Sequence, residues 1–263
     1  MKFNKNNKIQ YLSFEIFPKS VIHAVFTRHG GVSPDPWNSL NVGGTVGDER
    51  ERVKENRYLS FAAVGRSPLS MFDVWQVHSA DVVIVNKPHH EQKIPPELKA
   101  DAMLTDNPEV SLYMRFADCT PIFLYDTYKK VVGIVHAGWQ GTVKRVAAQA
   151  VLTMSAAYGS NPSNIVAAIG PSIGPDHYEV RNDVIEQVGY VFGKKSDAVL
   201  SNRDGKVYFD LWKANALLLR EQGVEHIEVA GICTACDSDD WFSHRAHKGK
   251  TGRFGAIIAL SKE

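Results

Sequence analysis

Cysteine is scarce in this chain, three residues in 263. So small and odd a number argues against the disulfide framework that staples small secreted domains. A surplus of one charge is also lacking. Thirty basic residues oppose 29 acidic ones, for a formal net charge of +1. That balance makes no general electrostatic case for nucleic acid or an anionic membrane surface as partner. No apolar run approaches the roughly 18 residues of a membrane span. The opening stretch MKFNKNNKIQYLSFEIF has no continuous apolar core and no small-residue cleavage site, so no secretory signal is expected in it. Internal repeats and low-complexity tracts are absent too. Together these absences set the expectation of a cytoplasmic, reducing environment.

What is present is an ordinary globular composition, 44% hydrophobic and 22% charged, in a chain long enough to bury a substantial core. Short apolar, β-branched runs recur: VIHAVFT (21–27), VVIV (82–85), SLYMRF (111–116), PIFLYD (121–126), VVGIVH (131–136), NIVAAI (164–169), IEVAGI (227–232) and AIIAL (256–260). They read as strands, several of them buried on both faces. A helical period predicts a helix over 143–158 that stops at Gly159, and a second from an Asp210 N-cap to Gly223. Weaker helical patterns cover 49–63 and 183–192. The segment 86–101, with its adjacent prolines, reads as a surface excursion rather than a domain boundary. Strands interleaved with few helices point to an α/β (α+β) domain with mixed sheets, without the regular alternation of a TIM barrel or Rossmann fold.

Chemistry concentrates at strand ends. Cys119 sits beside Asp118 in RFADCTPIFLYD, where Pro121 keeps the backbone extended. His136 closes an apolar strand in VVGIVHAGWQGT, and Gly138 and Gly141 allow close backbone approach ahead of a helix N-terminus suited to an anion. His78 lies in WQVHSAD. Thiolate and imidazole are both zinc ligands, and three of them leave a fourth position open. The same set could hold copper. A multicopper oxidase, however, would need many imidazoles in paired His-x-His motifs, and this chain has ten histidines and no such pair. A metal-free reading makes Cys119 a nucleophile with His136 as its base. Cys233 and Cys236 in ICTAC have C-x-x-C spacing, one such pair being a weak metal or redox signal. The loops 27–44 and 243–260 carry Arg28, His29, His244, Arg245, His247 and Arg253, which could receive an anion such as phosphate.

The motifs TRHGGVS, SLN, WQVH, ADC, HAGW, IGP, YEV and TGR occur in this order from about residue 22 to 260. In them the chain resembles the YfiH family, formerly labelled polyphenol oxidase or multicopper laccase, which includes the purine-nucleoside enzyme FAMIN. The resemblance implies one domain over 1–263 of packed mixed sheets flanked by helices, akin to a toxin deamidase, with residues 1–20 peripheral. It implies zinc on His78, Cys119 and His136, with copper as the alternative. The implied activities are phosphorolysis of adenosine, inosine, guanosine and methylthioadenosine, and deamination of adenosine; a link to cell-wall precursor editing also attaches to some bacterial members. Purine nucleosides and phosphate are then the expected partners, with no protein partner evident. On this reading Arg28, His29 and Arg57 are expected to hold phosphate, Asn41 and Gln76 to touch the nucleoside, and Asp118 to join Cys119 and His136 in catalysis. Two departures from the family stand out. His177 replaces a frequent cysteine before YEV, and Ser243-His244-Arg245-Ala246 replaces Ser-Tyr-Arg-Arg.

Overall fold

The runs PIFLYD and VVGIVH form a hairpin, Thr120–Asp126 against Val131–Ala137, in which every residue is buried. Side chains alternate across a strand, so this hairpin must be covered on both faces. One face carries Phe123, Tyr125, Val132 and Ile134, which share a core with Leu112, Met114, Phe116, Ala256 and Ile258 of a second sheet. The other carries Ile122, Leu124, Val131 and Val135, packed on Val146, Ala147, Ala150, Val151 and Met154 of a helix. Full burial of each large apolar side chain is worth roughly 1.5–3 kcal/mol, so this hairpin is the rigid floor on which the loops at its end are built.

The computed structural model describes residues 1–91 and 98–262. The hairpin lies in a six-stranded mixed sheet ordered His226–Val229, Ile165–Ile169, Thr120–Asp126, Val131–Ala137, Ala102–Thr105, Val82–Ile84. Its two outermost pairs are parallel and the rest antiparallel. The facing sheet, also six-stranded, runs Lys2–Asn6, Ile9–Ser13, Val21–Phe26, Phe254–Leu260, Ser111–Phe116, Met71–Phe72. Its outer face, with Ala24, Phe26, Tyr113 and Ile257, is covered by the helix Arg50–Ala63 through Phe61. Helices Val146–Tyr158 and Leu211–Glu221 close the opposite side. A small antiparallel sheet, Glu179–Val180, Lys206–Phe209 and Leu200–Arg203, packs with the helix Asn182–Phe192 at one end. The result is a mixed α+β domain of helix, sheet, sheet and helix layers.

Three expectations change. The helix expected over 143–158 is two helices, Trp139–Val143 and Val146–Tyr158, because Arg145 is left-handed at φ 65°. Local propensity favours continuity there, but Lys144 is drawn to the His78 carbonyl at 2.7 Å and Arg145 to Glu221 at 2.7 Å. Residues 1–20 are not wholly peripheral. The strand Lys2–Asn6 is largely exposed, whereas Leu12, Phe14 and Phe17 enter the inter-sheet core. The short strands Glu179–Val180 and Lys206–Phe209 were not expected, the first being two residues long and the second having an apolar run of only three. Of the excursion expected at 86–101, residues 92–97 lie outside the described residues; His89, before them, stacks on Phe72 at 4.3 Å.

Candidate active site

The open end of the central hairpin gathers three sequence-distant side chains. His136 pairs in register with Pro121, so Cys119 lies just beyond the ladder at the same edge. His78 arrives from the loop after Trp75, at φ 58°, with its carbonyl held by Lys144. The ligand atoms of His78, Cys119 and His136 all lie within 4.8 Å of one another, with Cys119 Sγ 3.8 Å from His78 Nε2. Zinc–sulfur and zinc–nitrogen bonds at tetrahedral angles set a sulfur–nitrogen separation of about 3.6 Å. The donor set therefore fits a zinc ion in both chemistry and spacing.

Asp101 organises this cluster. Its Oδ1 accepts from His136 Nδ1 at 2.8 Å, and its Oδ2 accepts from the backbone N–H groups of Val77 (3.1 Å) and Ser79 (2.6 Å) on either side of His78. A carboxylate only accepts, so His136 must carry its proton on Nδ1, which leaves Nε2 for a ligand. Burial pushes the Cys119 thiol up, but His136 and His78 outweigh it and bring the thiol down to about 6. Burial pushes His136 down, yet Cys119 and Asp101 raise it to about 9. Asp101, raised by burial, is brought down to about 2 by His136 and the N–H groups of Ser79 and Val77. The cluster thus favours thiolate over thiol.

Asp118 is also left-handed, at φ 78°, a conformation that costs about 1–2 kcal/mol in an L-residue. It brackets three loops: its carboxylate accepts from Thr234 Oγ1 and from the Arg245 N–H, both at 2.7 Å, and its carbonyl accepts from Ile173 N–H. Gly138 supplies room. A Cβ there would lie 2.8 Å from Cys119 Sγ and 3.1 Å from His78 Cδ2.

The cluster opens on a cavity of about 600 Å³, walled by Trp75, Ile173 and Tyr178 and, among the described residues, by Arg57, Arg115, Arg245 and Arg253. Arg115 is spent on Asp73, the Val74 carbonyl and Gln76. Arg245 spends its head on the His177 and Glu179 carbonyls. Arg57 grips the Val42 carbonyl and stands 3.7 Å from Asp73. Arg253 donates to the Thr251 and Gly252 carbonyls, and no carboxylate of the described residues pairs with it. Burial lowers the Arg253 pKa, against the pull of Cys119 and Asp118.

Of the expected site residues, the structure brings His78, Cys119, His136, Asp118, Arg57 and Gln76 to this cavity. Arg28 and His29, expected to hold phosphate, are not among its walls. Arg28 binds the Asn38 and Ser238 carbonyls and covers the Phe242 ring, and His29 pairs with Asp240 at 2.7 Å. Asn41 is buried and pins Asp48, Gly43 and the Arg253 backbone, so it shapes the loop rather than the cavity wall. Gln76 faces the cavity but spends its amide on the Arg115 backbone. Sequence reading missed Asp101 and Tyr178. Asp101 stands at the mouth of a short apolar strand and could have been found as an acid beside a strand start.

A sandwich whose hairpin ends in an open Cys/His/His cluster defines the class of this domain. The chain belongs to the family described as multi-copper polyphenol oxidoreductase laccase, whose model matches residues 22–261. It is 35% identical over 250 residues to the purine nucleoside phosphorylase YlmD of Bacillus subtilis (strain 168), covering 93% of this chain and 90% of that one. It is 38% identical over 243 residues to a purine nucleoside phosphorylase of Deinococcus radiodurans, covering 92% and 90%. The crystal structure of YlmD from Geobacillus stearothermophilus superposes with a TM-score of 0.91 at 32% identity, over 99% of each chain. Among the described residues no helix is long and apolar enough to cross a membrane.

Proposed function

We propose that this chain is a zinc-dependent purine nucleoside phosphorylase that cleaves adenosine, inosine, guanosine and methylthioadenosine to base and ribose-1-phosphate, and that also deaminates adenosine. The observation that carries the reading is the pairing of a three-ligand metal set with an arginine-bearing cavity of nucleoside size at the same strand ends. The purine nucleoside phosphorylase names of full-length relatives support it. The same donors also suit a single copper ion, but a thiolate and two imidazoles without further histidines give no multicopper cluster, which disfavours oxidase chemistry.

In phosphorolysis a phosphate oxygen bonds to C1′ as the C1′–N9 bond breaks. The base leaves with the bonding pair and takes up a proton. Arg253, with Arg57 beside it, would hold the phosphate dianion, and Trp75 and Tyr178 would flank the base. Arg245, fixed through Asp118, would keep the Tyr178 wall in place, with its guanidinium 5.4 Å over that ring. Zinc, when bound, supplies Lewis acidity beside the cavity, the property that activates water for deamination at neutral pH. His136, oriented by Asp101, would present Nε2 there.

A second reading rests on the lowered Cys119 pKa and the raised His136 pKa at side chains that share one cluster. These describe a thiolate–imidazolium pair backed by an acid, the arrangement of a cysteine hydrolase. Metal-characterised protein incubated with inosine, with and without phosphate, separates the two. Hypoxanthine and ribose-1-phosphate that need both phosphate and zinc, and vanish in Cys119→Ala, support phosphorolysis. Absence of both products from folded, zinc-loaded protein would sink it, and chelator-insensitive turnover blocked by thiol alkylation would favour the hydrolase.

A further inference from the structure

A second cluster of metal-capable side chains lies behind the cavity wall. Asp176, His177, Cys233 and Cys236 present ligand atoms that all fall within 4.8 Å of one another. Their separations are specific. Cys233 Sγ and Cys236 Sγ lie 3.8 and 3.4 Å from His177 Nδ1. Asp176 Oδ2 lies 3.3 Å from that nitrogen and 3.1 Å from Cys236 Sγ. Four ligands around a tetrahedral zinc, at bond lengths of about 2.0–2.3 Å, stand about 3.4–3.8 Å apart. The observed contacts match that sphere to a few tenths of an ångström. The shortest, between Cys236 and Asp176, is a thiol hydrogen bond that opens into that range when the proton leaves and both groups turn to the ion.

We propose that these four residues bind a structural zinc ion, separate from the three-ligand site. The chemical distinction is the number of donors. His78, Cys119 and His136 leave a coordination position open, as a catalytic site requires, whereas Cys233, Cys236, His177 and Asp176 complete a tetrahedron and close it. Two thiolates with an imidazole select a borderline-soft cation over calcium or magnesium. Binding releases the two thiol protons to solvent, and the metal stays divalent throughout.

The backbone prepares the site without the ion. Ser172 and Cys233 bridge as parallel strands, with Ser172 N–H donating to Ile232 and Thr234 N–H to Ser172. A turn closes on Gly174, whose carbonyl accepts from the N–H groups of His177 and Tyr178. Gly174 N–H donates to Cys233 Sγ at 3.1 Å, the kind of supporting bond that steadies a ligating sulfur. A side chain at 174 is barred, since a Cβ would meet Asp176 Oδ1 at 2.6 Å and Cys233 Cβ at 2.9 Å. The ion would therefore rivet the 172–178 turn to the 232–236 turn. Ile173 and Tyr178 of the first turn wall the cavity, and Thr234 of the second holds Asp118.

The test is metal stoichiometry of the intact chain, saturated with zinc under reducing conditions, desalted and measured by plasma mass spectrometry. The expected value is two zinc ions per chain. Cys236→Ser, at an exposed position with little packing to lose, should drop this to one and abolish the thiolate charge-transfer band of the second cobalt equivalent. His78→Ala should remove the other ion and leave this one in place. Should the Cys236 variant unfold, His177→Asn in the same assay gives the same reading. One zinc per wild-type chain, or two that survive both Cys236→Ser and His177→Asn, overturns the proposal. A Cys233–Cys236 disulfide found by mass after zinc loading in reductant also overturns it.

Discussion

Asp101 accepts from His136 through one carboxylate oxygen and from the backbone on both sides of His78 through the other. One buried acid thus fixes the tautomer of one candidate ligand and the position of another. Neither contact is visible as a local motif, since Asp101 is 23 residues from His78 and 35 from His136.

Asp101→Asn follows from this. The amide keeps the volume but loses the charge and presents a donor where acceptors are needed. Loss of such a supporting partner typically lowers metal affinity by about 10–100-fold. Competition with a chromophoric chelator should show that drop at the three-ligand site, with the fold retained by circular dichroism. Unchanged zinc affinity would remove Asp101 from the positioning role.

Gly138→Ala tests the space beside Cys119. The added methyl would stand 2.8 Å from the sulfur, and overpacking of this kind costs about 1–3 kcal/mol. Zinc retention should fall, and the melting temperature should drop by roughly 2–4 °C for each kcal/mol of strain. Gly189→Ala is the contrast. Nothing lies within 4 Å of a Cβ there, and it sits inside the helix Asn182–Phe192, so stability should rise by about 0.5–1 kcal/mol with metal content unchanged.

Arg253→Gln and Arg28→Gln distinguish the arginine the cavity uses from the one the motif suggested. Losing a charge-assisted bond of about 1.5–3 kcal/mol should raise the phosphate KM by roughly tenfold or more in the Arg253 variant. The Arg28 variant should leave that KM unchanged, because its guanidinium is bound to carbonyls outside the cavity. Initial-rate kinetics in phosphate at fixed inosine give the answer. Equal effects in both variants would contradict the geometry.

His23 gives a pH dependence of stability. It sits among Phe14, Phe17 and Phe123, with Nε2 accepting from Phe14 N–H at 2.8 Å and Nδ1 donating to the Val21 carbonyl at 2.9 Å. Burial lowers its pKa below 6.5, against those backbone bonds and the charge of Glu228. The neutral ring is therefore the folded form. The unfolded chain takes up the proton first, so stability is complete above about pH 6.5 and is lost as pH falls towards the folded value. Urea melts at pH 7 and pH 5 should show a larger loss in wild type than in His23→Gln, by at most about 1.4 kcal/mol per pH unit.

Much of this molecule was legible in the chain. Runs such as VVGIVH and NIVAAI became buried strands because they are short, apolar and β-branched. Asp210 caps its helix through Lys213 N–H as its position ahead of an apolar period predicts. His78, Cys119 and His136 were legible as candidates at strand junctions, and the resemblance to the YfiH family grouped them as one ligand set. The helix break at Arg145 was not legible, since side-chain contacts to Glu221 and His78 override a favourable local sequence. The strand Lys206–Phe209 escaped because its apolar run, Val207 to Phe209, is only three residues long.

By itself the sequence determined the α+β class of the core, because periodicity acts locally, and it offered the three donors of the open cluster as candidates. Only the tertiary structure decided which basic groups face those donors. Arg28 and Arg253 are alike as residues, and each lies in a glycine-rich loop. The packing of Phe242 and the Ser238 carbonyl takes Arg28 out of the cavity, while the Asn41 side chain holds the Arg253 backbone beside it. It likewise drew a weak C-x-x-C pair into a set of four with Asp176 and His177. Such choices depend on contacts between segments distant in the chain, and no local pattern encodes them.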